Sequence, residues 1–66
     1  MDKINYYLGR FGYESFLFTD ESPDVCPTKG EFIFFNDTSY KVIYIMMDYD
    51  HNKYNVFVRQ AIEEDF

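Results

Sequence analysis

Lys53-Tyr54-Asn55-Val56-Phe57-Val58-Arg59-Gln60 is the stretch that decides the fold. Tyr54, Val56 and Val58 take alternate positions, with Lys53, Asn55, Phe57 and Arg59 between them. Successive side chains of an extended chain point to opposite faces, so this period of two predicts a strand with one apolar face. Valine and aromatic residues reinforce it, because they pack well on a pleated surface. Just upstream, Asp50-His51-Asn52 has turn chemistry, and residues 40–48 (YKVIYIMMD) read as a second, longer strand. Between Val42 and Met47 that strand is apolar on both faces. Such a run suits a central strand covered on both sides or closed into a small barrel.

Moving outward, Asn36-Asp37-Thr38-Ser39 reads as a turn and residues 31–35 (EFIFF) as a strand. Residues 20–30 (DESPDVCPTKG) form an acidic loop that holds both prolines and the one cysteine. In residues 3–8 (KINYYL), Ile4, Tyr6 and Leu8 share one face while Lys3, Asn5 and Tyr7 share the other. Gly9-Arg10-Phe11-Gly12 is a hairpin loop whose glycines can take positive φ. Residues 13–19 (YESFLFT) return, with Phe16 and Phe18 expected on one face. An amphipathic helix competes for the first segment, since Ile4, Tyr7, Leu8 and Phe11 also fit i, i+3, i+4 and i+7, and Asp2 could cap it. Residues 61–66 (AIEEDF) form an acidic tail or a single helical turn.

Pro27-Thr28-Lys29-Gly30-Glu31-Phe32-Ile33, followed by Tyr40-Lys41-Val42, resembles a pattern of small bacterial and phage β proteins that form SH3-like or other short-barrel meanders. The resemblance spans residues 27–60, about half the chain, and implies the meander without transferring a site or an activity. The size and the Asn/Tyr/Ile/Lys-rich composition also resemble accessory proteins of low-GC phages or mobile elements. The expected architecture is one acidic domain over residues 1–66. It is all-β, or α+β should the first segment be helical. Four or five strands form a small antiparallel meander or an SH3-like, partly open barrel.

Sixty-six residues bury little. A domain of this size hides only about 60% of the surface its unfolded chain exposes. A single cysteine, Cys26, allows no internal disulfide, and no Cys/His set matches zinc. Eight Phe and seven Tyr are left to supply the stability, each ring burying roughly 150–250 Å². A lone thiol and the lack of a basic segment leading into an apolar run predict a cytoplasmic setting, the host cytoplasm if the chain is phage-encoded. No apolar run approaches the ~20 residues of a membrane span. The formal net charge is −6, and no two basic residues are adjacent. Direct binding to nucleic acid or to an anionic membrane is therefore not expected, and a basic protein surface is the natural complement.

Motifs for chemistry are few. Asp48-Tyr49-Asp50-His51-Asn52 matches the first ligands of a calcium loop, but Lys53 stands where glycine is needed and Arg59 where the bidentate glutamate belongs. A polar hairpin turn explains the same residues. His51 has no serine or cysteine placed to complete a catalytic set. Cys26 beside Asp24 lacks the basic surroundings that activate a thiol, and a small apolar plug is expected there. The acid pairs Asp20-Glu21 and Glu63-Glu64-Asp65 lie in segments that look flexible. Neither a phosphate-binding loop nor a dinucleotide fingerprint occurs, so no enzyme, no cofactor and no metal is expected.

The aromatic surplus points to binding. Tyr7, Tyr13, Tyr44, Tyr49 and Phe57 cannot all be interior if one sheet face carries the core. Tyr7, Tyr44, Tyr49 and Phe57, interleaved with Glu14, Glu31, Asp37, Asp48 and Asp50, would place apolar anchors inside an acidic rim. Coverage of both sheet faces would hide the same rings without any partner. One reading is an acidic inhibitor that occupies the basic channel of a host or defence nucleic-acid-binding protein. Another is an assembly module that forms a homo-oligomer or adds a strand to a larger complex, with residues 54–60 as the candidate edge. A barrel that stacks RNA bases on its rings ranks third, because the basic residues are missing.

Overall fold

The computed structural model describes residues 3–66. Five strands, β1 (Ile4–Leu8), β2 (Ser15–Asp20), β3 (Phe32–Phe35), β4 (Thr38–Asp48) and β5 (Lys53–Gln60), precede a 3₁₀ turn at Glu63–Asp65. They form one sheet in the order β2-β1-β5-β4-β3, curled into a half-barrel. This is the all-β, partly open barrel expected. The first segment is a strand; Asp2, which would have capped a helix there, lies outside the described residues. Three of the pairings are antiparallel, while β1 and β5 run parallel, with Tyr6 opposite Val56 and Leu8 opposite Val58.

That parallel pairing corrects one expectation. Residues 54–60 do not form an edge, because β5 is flanked by β1 and β4. The open side of the β4–β5 hairpin is taken by β1, and the Tyr54/Val56/Val58 face completes a buried layer with Ile4 and Tyr6. The unpaired edges are β2 and β3.

The inner face holds the main core of Ile4, Tyr6, Tyr40, Val42, Val56 and Val58. Each fully buried aliphatic side chain contributes about 1.5–3 kcal/mol. Rings extend this core. Tyr6 stacks on Phe18 with centroids 4.4 Å apart, and Phe18 stacks on Phe35 at 4.1 Å. Burial pushes the Tyr6 phenol above its ordinary pKa. Cys26, from the loop between β2 and β3, packs against the same cluster, and burial with nearby Glu31 pushes its thiol upward. That is the apolar plug expected of it.

Two bulges set which residues face inward. The β1–β2 register shifts between Tyr6 and Tyr7, which pair with Phe18 and Phe16, so Leu17 is the extra residue. Phe16 and Phe18 therefore lie on opposite faces, a correction to the shared face expected from their spacing. Phe18 joins the core and Phe16 meets Tyr7 on the outer face. In β4 the shift falls between Val42 and Tyr44 with Ile43 as the extra residue, which turns Val42 inward and Tyr44 outward.

Turn chemistry closes the hairpins. Asn36 (φ 52°) and Asp37 (φ 61°) alone form the β3–β4 turn, so Thr38 and Ser39 join β4 instead of the turn. Gly9 has φ 104°, and a Cβ there would meet the Tyr13 carbonyl oxygen at 3.2 Å. On the outer face, Thr19 donates to Asn5 Oδ1 at 2.7 Å, and Asn5 Nδ2 reaches Asn55 Oδ1 at 3.4 Å. This polar rung crosses β2, β1 and β5 and satisfies the buried Asn5.

Candidate functional site

The outer face carries a second aromatic layer, built where β1, β4 and β5 run side by side. Phe57 lies at its centre, 5.4 Å from the Tyr7 ring, 5.2 Å from Tyr44 and 6.1 Å from Phe11. Residues 9–14 fold back over it. The Phe11 amide donates to the Tyr44 hydroxyl at 2.8 Å, and the Gly12 amide to Glu14 Oε1 at 2.6 Å. The loop thereby covers rings that would otherwise face water.

This cover corrects one predicted anchor. Phe57 is 1% exposed and cannot meet a partner directly. Tyr7 and Tyr44 are half-buried flanks of the same layer. Among the described residues the most exposed rings are Tyr13 (91%), Tyr49 (85%), Phe66, Phe34, Phe11 (62%) and Phe16. Of these, only Tyr49 belongs to the anchors read from sequence. Phe11 and Phe16 were missed because a loop residue and a bulge-flanking residue give no periodic signal. Tyr13 drew notice only as one more surplus ring.

Tyr49 sits in the β4–β5 turn, between Asp48 and Asp50. It lines an open groove of about 410 Å³ together with Phe11, Met46, Asp48, Asp50 and Asn55. The turn is held by Asp48, whose Oδ2 lies 2.8 Å from His51 Nδ1 and whose Oδ1 accepts from the His51 amide at 3.2 Å. The His51 ring hydrogen bond holds the Asp48 carboxyl below the usual carboxylate range. A fixed negative charge thus borders an exposed tyrosine and an apolar floor. Glu14 lies in the covering loop. Glu31 and Asp37 fall elsewhere: Glu31 Oε1 accepts from the Thr28 amide at 2.7 Å, and Asp37 occupies the β3–β4 turn.

The tail is also more ordered than its composition suggested. Asp65 is bound bidentately by Arg59, at 2.8 and 2.9 Å, and lies 3.6 Å from Lys41 Nζ; its side chain is 9% exposed. Among the described residues no three His, Cys, Asp or Glu side chains form a metal set. No helix among them is long and apolar enough to cross a membrane. The sequence matches no family model and no curated protein, and the fold matches no solved structure.

Proposed function

We propose that this chain is a protein-binding module that presents the Phe11/Tyr49 groove to a basic protein surface. By covering that surface it inhibits a nucleic-acid-binding protein. The observation that carries the reading is Tyr49, exposed between Asp48 and Asp50 and sharing one groove with Phe11 and Met46. Exposed aromatics supply desolvated contact area, while a carboxylate rim steers a cationic partner. The net charge of −6 adds long-range attraction. Small size and composition favour an accessory protein of a phage or mobile element, acting in the host cytoplasm. Affinity capture followed by competition tests it. A partner retained by the natural chain should be lost with Tyr49→Ala, kept with Glu63→Ala, released as salt rises, and displaced by nucleic acid. A partner that nucleic acid cannot displace would remove the inhibitor reading.

A second reading has its own support. Both sheet edges are unpaired, and Phe32 and Phe34 project exposed from β3. Such an edge suits strand addition by a second copy or a larger complex. Light scattering at micromolar concentration separates the two, since a stable dimer favours assembly and a monomer favours the inhibitor.

A further inference from the structure

The strands gather what the sequence scatters. Four of the six cationic residues, Arg10, Lys29, Lys41 and Arg59, line one groove of about 640 Å³. Lys41 and Arg59 are direct cross-strand partners on β4 and β5. Like charges in that relation destabilise a sheet unless an anion lies between them. Here the chain supplies one: the Asp65 carboxylate contacts both. One carboxylate against four cations leaves three positive charges, and no other carboxylate of the described residues lies within 4.0 Å of them. Arg10 is held over the Tyr44 ring at 6.0 Å, which positions its guanidinium without neutralising it. Ile43, at the β4 bulge, adds a half-buried apolar side chain to the lining.

We propose that this groove binds a small organic phosphate monoester. A phosphate monoester is close to a dianion at neutral pH and presents three acceptor oxygens, which suits guanidinium and ammonium donors around an unbalanced positive site. The volume is that of a small-ligand pocket, and the half-buried Ile43 in its lining suits an apolar body attached to the phosphate. A long polyanion fits less well, because the rest of the chain brings the total to −6 and repels it. Asp65 marks where an anionic group sits between Lys41 and Arg59, and it competes for those two donors. The groove is separate from the one that holds Tyr49.

Amide chemical shifts of the full chain, recorded during titration at constant ionic strength, test this. The probes are phenyl phosphate, inorganic phosphate and a single-stranded oligodeoxynucleotide. Phenyl phosphate should give saturable shifts at Gly9, Gly30 and residues 41–43, and bind more tightly than inorganic phosphate. Lys29→Glu, at an exposed loop position, should weaken binding about tenfold or more. Asp65→Asn should tighten it severalfold by removing the resident charge. Shifts no larger than those given by matched chloride would overturn the proposal. So would phenyl phosphate affinity indifferent to Lys29→Glu, or tighter binding of the oligonucleotide than of phenyl phosphate.

Discussion

Phe18 and Phe35 stack with centroids 4.1 Å apart and planes 17° off parallel, although β2 and β3 lie at opposite ends of the sheet. No backbone pairing joins those two strands. The half-barrel is therefore closed across its seam by side chains, with Tyr6 beneath Phe18 extending the stack. Phe18→Ala and Phe35→Ala should each cost about 2–4 kcal/mol, below or within the range for large-to-small core changes, because both rings are half-buried. A double-mutant cycle in urea should give a coupling of about 0.5–1.5 kcal/mol. Additive effects would show that the stack does not hold the seam.

Phe57 and Tyr49 should separate stability from binding. Phe57→Ala removes the centre of the outer aromatic layer and should cost about 3–5 kcal/mol in denaturant unfolding. Tyr49→Ala lies on an exposed turn and should change stability by no more than about 0.5 kcal/mol while weakening partner binding. Tyr44→Ala should do both, since its hydroxyl holds the Phe11 amide. A Tyr49→Ala chain that binds its partner unchanged would count against the groove.

Asp65 governs the tail through its charge. Arg59, with help from the Ile62 amide, holds its carboxyl well below the usual carboxylate range. A depressed carboxyl stabilises the fold above its unfolded pKa of about 3.9, and that contribution is lost as pH falls through the lower folded value. Hydrogen exchange should therefore show residues 62–66 docked at neutral pH and still docked near pH 4, with release only in stronger acid. Asp65→Asn should undock them at every pH while leaving the sheet protected. Phe66, stacked on Phe32 at 4.8 Å, should lose that contact together with the tail.

The β4–β5 turn has the same sign. Asp48 is held low chiefly by the His51 ring hydrogen bond, so the contribution of the pair persists above the ordinary carboxylate pKa and fades as pH falls through the depressed one. His51→Gln should move the Asp48 carboxyl upward in an NMR titration. An unmoved Asp48 would show that the ring contact does not set its acidity.

Most of the strands were legible because β5 alternates cleanly and glycine or Asn-Asp pairs punctuate the hairpins. The phase errors were not. Leu17 and Ile43 look like ordinary strand residues, yet each inserts an extra position that sends its neighbours to opposite faces. The parallel β1–β5 contact pairs residues fifty positions apart, which short-range patterns do not register. For the same reason Phe57 read as exposed: the cover over it comes from residues 9–14. The acidic half of the candidate site was readable because Asp48, Tyr49 and Asp50 are consecutive. The cationic groove was not, because Arg10, Lys29, Lys41 and Arg59 meet only after folding.

A seam closed by rings can part without breaking one interstrand hydrogen bond. The cheapest excursion of this domain is thus a lateral gape between β2 and β3, far below the cost of unravelling the β1–β5–β4 centre. Each gape separates Phe18 from Phe35 and widens access to the half-buried Cys26, so thiol labelling should quicken with every substitution that loosens the stack.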